Sequence, residues 1–153
     1  MELRERIQTA TKEAMRARDQ LRLSTLRLIG AAIKDREIAQ RGEDGKGALT
    51  EDDVVALLSR MVKQRQESTR AYEEGGRLEL AEREQAEIDI IQEFLPRQLS
   101  PEEVGAAIAS VIADLGATGV RDMGRVMGAL RERHAGQMDF GAAGALVKAR
   151  LMG

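Results

Sequence analysis

TEDDVVALLSRMVKQRQESTRAYEEGGRLELAEREQAEIDIIQEFLPRQLSPEE, residues 50–103, holds the signals that choose a fold class. Thr50 is a helix-capping residue, and Glu51, Asp52 and Asp53 suit the positive end of the helix dipole that follows. Val54, Leu57, Leu58, Met61 and Val62 recur at intervals of three and four, one face of a helix. Gly75-Gly76 breaks it, and a second helix runs to about Leu95 with Ile88, Ile90, Ile91, Phe94 and Leu95 apolar. Two helices joined by a diglycine form an antiparallel hairpin, packed at the end away from the turn. Nearer the turn, residues 63–70 read KQRQESTR and residues 82–85 read EREQ. A helix that is polar all round projects into solvent or meets a polar partner, so a packed base with a protruding polar tip is expected. Pro96 ends the hairpin, because the residue before a proline is driven from helical geometry. LPRQLSPEE then reads as a short hinge, with Ser100 as N-cap, Pro101 at the first helical position and Glu103 closing a capping box.

The same punctuation extends in both directions. Upstream, Leu3, Ile7, Ala10, Ala14 and Ala17 form one stripe, and Asp19 caps a second helix carrying Leu23, Leu26, Ile29, Ile33 and Glu37 on successive turns. QRGEDGKGAL, residues 40–49, reads as an exposed glycine-rich loop. Downstream, a helix with Val104, Ala107, Ile108, Val111, Ile112 and Leu115 stops at Gly116. A helix beginning near Asp122 carries Met123, Val126, Met127 and Leu130, and Asp139 caps a last one with Ala143, Leu146, Val147 and Leu151. Gly124 and Gly128, one turn apart, would admit a second helix closely. The expected architecture is all-α, with an N-terminal helical domain over 1–96 and a three-helix bundle over 97–153.

Among 153 residues only 2% are aromatic and 33% are charged, a mixture that favours amphipathic helices over sheets. Without cysteine there is no disulfide, thiolate metal site or cysteine nucleophile, and one histidine, His134, cannot build a two-histidine metal site. His134 lies near a helix C-terminus, where an imidazolium is favoured by the dipole. GEDGKG, residues 42–47, lacks the spacing of a phosphate loop, and no serine sits in a G-x-S-x-G elbow. No catalytic, cofactor or metal site is expected. The charged N-terminus has no apolar signal core and no run suits a membrane span, so the cytoplasm is the expected compartment.

Net charge is −2, but its distribution is uneven. Residues 1–41 carry ten Lys/Arg against six Asp/Glu, residues 42–98 eight against fourteen, and residues 99–153 six against six. The basic excess on the first two helices could attract an anion. Ser24, Arg27, Ala31 and Lys34 share a stripe on the second helix, and Arg65, Ser68 and Tyr72 share one on the third, where Lys63 and Arg70 lie seven apart. These residue types contact phosphates and sugars, and a tyrosine can stack on a base. With Arg125, Arg131, Lys148 and Arg150 in the tail, they are the candidate nucleic-acid contacts: Arg27, Lys34, Lys63, Arg65, Ser68, Arg70, Arg125, Arg131, Lys148 and Arg150.

LRLSTLRLIGAAIKDREI (21–38), KQRQESTRAYEEGGRLELAEREQAEIDIIQEFLPRQLS (63–100) and DMGRVMGALRERHAGQMD (122–139) together resemble the YqeY-like proteins. That family is related to the C-terminal portion of the B subunit of glutamyl/aspartyl-tRNA amidotransferase. The resemblance departs at Gln137-Met138, where the family usually has a basic residue after the glycine. It implies a larger N-terminal unit and a three-helix tail, and it brings the label of carbon–nitrogen ligase with glutamine as amide donor. In the amidotransferase the tail helps hold tRNA, while an amidase subunit and the B-subunit cradle do the chemistry; neither has a counterpart here. The implied role is a tRNA-binding module, or one associated with a tRNA-modifying or aminoacyl-tRNA enzyme. A protein–protein adaptor without RNA is the alternative, favoured by the overall acidity.

Overall fold

The computed structural model describes residues 2–44 and 48–153 and, among them, seven α-helices and no strand. The chain divides into two compact units, Met1–Leu95 and Pro96–Gly153. The first contains α1 (Leu3–Ala17), α2 (Gln20–Asp44), α3 (Glu51–Glu74) and α4 (Leu78–Gln92); the second contains α5 (Pro101–Leu115), a 3-10 turn (Val120–Asp122), α6 (Met123–Arg133) and α7 (Phe140–Met152).

The helix boundaries follow local chemistry. The Thr50 hydroxyl accepts from the Asp53 amide while the Asp53 carboxylate takes the Thr50 amide, a full capping box. Ser100 and Glu103 repeat it with Pro101 at the first position, and Asp139 accepts from the amides of Gly141 and Ala142. Asp19 accepts the Arg22 amide at the start of α2. Each such cap satisfies donors that a helix end leaves unpaired, worth about 1 kcal/mol. Gly116 closes α5 in the left-handed conformation, at φ +60°.

In the first unit Leu26, Ile29, Val54, Leu58, Ile88 and Ile91 are fully buried, and Leu3, Ile7, Ala10 and Ala14 lay α1 on the same core. Each large aliphatic contributes roughly 1.5–3 kcal/mol by leaving water. Polar ties fix the helices around it. The Leu3 amide donates to Glu51, the Arg22 guanidinium pairs with Glu93 at 2.7 Å, and Arg6 stands over the Phe94 ring, 5.6 Å from its centroid. Glu37 closes the stripe of α2 as a carboxylate, paired with Arg4 and accepting the Leu49 amide; the Arg4 hydrogen bond holds its carboxyl below the usual range.

Three expectations are corrected here. The glycine-rich stretch begins inside α2, which continues to Asp44; Gly45, Lys46 and Gly47 lie outside the described residues. Ala17 is exposed, one turn beyond the point where α1 stops packing. The polar tip is exposed at Lys63, Gln64, Gln66, Glu67 and Arg70, as expected, but one side of it is packed: Thr69 and Glu87 are buried, Arg65 is half-buried, and Arg65 Nε meets Glu87 Oε2 at 3.1 Å. Thr69 donates back to the Arg65 carbonyl at 2.8 Å, so the hairpin contact continues in polar side chains where the apolar stripe ends. The physical reason is pairing, which allows burial that a lone charge would not tolerate.

The second unit packs Ile108 and Val111 of α5, Val126, Met127 and Leu130 of α6, and Ala143, Val147 and Leu151 of α7 around one centre. The stretch read as a hinge is stitched to the turn after α6. The Leu99 amide donates to the Gln137 carbonyl, Gln98 Nε2 to the Gly136 carbonyl, and Gln137 Nε2 to the Arg97 carbonyl. Gln137, the position departing from the family pattern, is thus a structural tie.

Two carboxylates anchor this unit and are sensitive to acid. Arg97, through two hydrogen bonds, and the Ser100 amide lower the Glu103 carboxyl to about 2. The Thr118 amide, Arg125 and the Gly119 amide lower Asp122 to about 2. Both values lie below those expected unfolded, so their stabilising effect is complete above about pH 4.5 and is lost as pH falls toward about 2. In acid titrations followed by circular dichroism, Glu103→Gln with Asp122→Asn should be less stable at neutral pH and show a shallower acid transition.

Candidate nucleic-acid and partner surfaces

The ten sequence candidates fall into distinct groups. On α2, Arg27 and Lys34 are exposed and make no ion pair among the described residues. On α3, Lys63 and Arg70 are exposed, whereas Arg65 is engaged inside the hairpin by Glu87 and by the Met61 carbonyl. Ser68 is half-buried and donates to the Gln64 carbonyl. In the second unit Arg125 is exposed beside Asp122, 2.8 Å away, and Arg131 lies over the Phe140 ring, 5.9 Å from its centroid. Lys148 and Arg150 are exposed but lie about 160° apart around α7. One Arg150 nitrogen stands 3.9 Å from where a Cβ on Gly105 would sit, so Arg150 leans toward α5.

The outer face of α6 brings several features together. Gly124 and Gly128 meet no helix there: nothing stands within 4 Å of a Cβ placed at either. The close approach expected at this glycine pair is therefore absent, and the helix backbone is bare toward solvent. With 100° per residue, Gly124, Gly128 and Arg131 span about 60°, and Arg125 lies beside them. Arg121 is exposed just before the helix; two acids meet that face, Glu132 and the Asp122 carboxylate that pairs with Arg125. Arg121 escapes the sequence reading because it precedes the periodic stripe.

On the first unit, a groove of about 450 Å³ runs between α1 and α2. Ile7, Ile33 and Gly30 line it, with Arg4, Lys34 and Arg41 around them and Glu37 held by Arg4. Arg41 was missed because its position reads as the start of a loop.

A second cavity, about 350 Å³, lies between α5 and the end of α6, where Ala107 and Val111 meet Ser110, Arg133 and His134. His134 Nδ1 is 3.0 Å from Gln137 Oε1, and the Gln137 amide nitrogen donates to the Arg97 carbonyl. No hydrogen bond joins Ser110 to the imidazole, so the arrangement lacks a nucleophile–base pair among the described residues. Nor do three metal-ligating side chains converge among them, and no single helix is long and apolar enough to cross a membrane.

Comparison with known proteins adds a family. The model of the Yqey-like protein family matches residues 4–151. The altered inheritance of mitochondria protein 41 of Lachancea thermotolerans is 34% identical over 106 residues, 68% of this chain and 54% of that protein. Its Clavispora lusitaniae counterpart is 39% identical over 84 residues, 55% of this chain and 46% of that protein. The Pyrenophora tritici-repentis counterpart is 29% identical over 126 residues, 80% and 66% respectively. The chain spans about half the length of the first two. All three are named as mitochondrial proteins, which overturns the expectation of a cytoplasmic location. The expectation rested on missing apolar segments, and those distinguish secreted and membrane proteins without separating the cytoplasm from an organelle interior.

Proposed function

Because this chain belongs to the YqeY-like family, we propose that it is a non-catalytic tRNA-binding module acting alongside a tRNA-modifying or aminoacyl-tRNA enzyme. The observation that carries this reading is the outer face of α6, where two open glycines are flanked by Arg121, Arg125 and Arg131. A phosphate–sugar backbone needs close approach and cations at its edge; two glycines one turn apart on the same helix face supply the first and the arginines supply the second. The kinship with the amidotransferase tail points to the same unit. The chemistry of amide transfer belongs to the associated enzyme in this reading, and the ligase label describes relationship.

The test is binding of purified full-length protein to total tRNA as salt is raised. Three phosphate contacts correspond to a slope of about −2.7 in log affinity against log salt, or about 40-fold weaker binding between about 50 and about 200 mM. Arg125→Ala with Arg131→Ala should flatten the slope by about two contacts. Gly128→Leu is the sharper probe. Leucine is the better helix former by roughly 0.8 kcal/mol and meets open space, so thermal stability should rise while tRNA affinity falls at least about tenfold. No binding at low salt, or a Gly128→Leu protein that binds normally, would remove this reading and favour an adaptor without RNA.

A further inference from the structure

The helix α2 is apolar on two sides. Its inner side, Leu23, Leu26, Ile29 and Ile33, is buried in the first unit. Opposite it, Leu21 is 38% exposed, Leu28 45% and Ile38 56%. At 100° per residue these three share a band about 100° wide with Ser24 and Ala31, and Leu21 to Ile38 spans about 26 Å of helix. Asp35 is the one charged residue in that band. A face that met only water would be polar, as is the solvent side of most amphipathic helices.

The edge of the band is charged in one sense. Arg27, Lys34 and Arg41 follow at seven-residue intervals, within about 40° of one another; none is in salt-bridge contact among the described residues, although Arg41 is near enough to Glu37 to help lower its carboxyl. Beyond that edge lies the groove between α1 and α2, which Ile38 also lines. Its wall is cut away at Gly30, where nothing stands within 4 Å of a Cβ, above Ile7 and Ile33. An apolar band, a cationic margin and an adjoining notch thus run along one helix.

We propose that this outer face of α2 is the docking site for an acidic amphipathic helix of a partner protein. Such a helix covers Leu21, Leu28 and Ile38 with its own apolar ridge and sets Asp or Glu against Arg27, Lys34 and Arg41. A larger side chain from its ridge enters over Gly30. RNA is the poorer occupant, since a phosphate backbone would leave the three aliphatic side chains uncovered. An anionic bilayer is poorer too, because it would bring Asp35 against like charge in the middle of the contact. The inference extends the tRNA reading by assigning the enzyme-facing contact to the first unit and is testable apart from it.

The experiment uses the full chain and a fluorescent peptide of about 18 residues, long enough to cover the band as a helix. The peptide carries Leu at three- and four-residue spacing with Glu on both flanks; a second peptide replaces each Glu by Lys. The Glu peptide should bind and the Lys peptide should not. Leu28→Gln with Ile38→Gln, both at exposed positions, should weaken the Glu peptide at least about tenfold. Lys34→Glu with Arg41→Glu should abolish its binding and admit the Lys peptide instead, a reversal that general loss of structure would not give. Gly128→Leu should leave peptide affinity unchanged, and Leu28→Gln with Ile38→Gln should leave tRNA affinity unchanged, so the two readings fail separately. The proposal is overturned if the Glu peptide does not bind, or binds all variants alike. It is equally overturned if tRNA or phosphatidylserine vesicles compete with the peptide for α2, or if sedimentation shows a dimer of this chain that the same variants dissociate.

Discussion

Leu130→Ala is expected to destabilise the second unit severely. Leu130 has no exposed surface and sits on α6, which packs against both α5 and α7. Removing a buried leucine side chain costs about 2–5 kcal/mol, as lost transfer energy plus a cavity that relaxes only in part. A unit running only from Pro96 to Gly153 has roughly 3–9 kcal/mol of stability to lose, at 0.05–0.15 kcal/mol per residue. One substitution therefore removes from about a third to all of that margin. Met127 and Met138 belong to the same cluster and are flexible enough to fill part of the void, which argues for a loss near 3 kcal/mol. Leu130→Met is the control, since a volume-conserving exchange should cost under about 1.5 kcal/mol. The measurement is urea denaturation, with amide resonances of residues 96–153 followed by NMR. Collapse of those resonances at a markedly lower urea concentration in the alanine variant alone is the expected result. A wild-type urea midpoint in Leu130→Ala would mean that the core around α6 is looser than its burial indicates.

How far such features can be read from sequence depends on whether a signal is local. Thr50–Asp53, Ser100–Glu103 and Asp139 are legible because a cap involves residues three apart and one hydrogen-bond geometry. The inner stripe of α2 is legible for the same reason: period alone selects Leu23, Leu26, Ile29 and Ile33. Its outer band is not, because Leu21, Leu28 and Ile38 lie in the same run, and periodicity cannot say which of two apolar sides the rest of the chain covers. The cationic edge was seen at Arg27 and Lys34 but lost at Arg41, where the glycines that follow mimic a loop start. The glycine pair of α6 posed the opposite difficulty. Small residues one turn apart signal close approach, and only tertiary structure shows that the space beside them is open. The same limit hid the interior of the hairpin, since eight successive polar residues give no hint that Arg65 meets Glu87 and that Thr69 is buried.

That hidden pair gives the second large effect. Glu87 is 8% exposed and its carboxylate meets Arg65 Nε at 3.1 Å. Glu87→Ala should cost about 3 kcal/mol, because it leaves a guanidinium within the hairpin with only the Met61 carbonyl as partner. The length of the arginine stem lets its head move toward water, which holds the loss at the lower end of the usual 3–5 kcal/mol range. Glu87→Gln keeps an acceptor and should cost roughly half as much. Arg65→Met with Glu87→Leu removes both charges together, and should be neutral or more stable by about 1–4 kcal/mol, since neither ion is then desolvated. Chemical denaturation of the four proteins checks the order. A cost under about 1 kcal/mol for Glu87→Ala would place the pair with solvent-screened surface bridges. The order also bears on function, because Arg65 is one of the cations that sequence alone offers to RNA. In Arg65→Ala any loss of tRNA affinity is confounded with loss of the folded hairpin, whereas Arg65→Met with Glu87→Leu removes the cation and keeps the fold. Unchanged tRNA binding in that double variant is the expected result, and it would establish that the guanidinium serves the hairpin; weakened binding in a fully folded protein would return Arg65 to the contact surface.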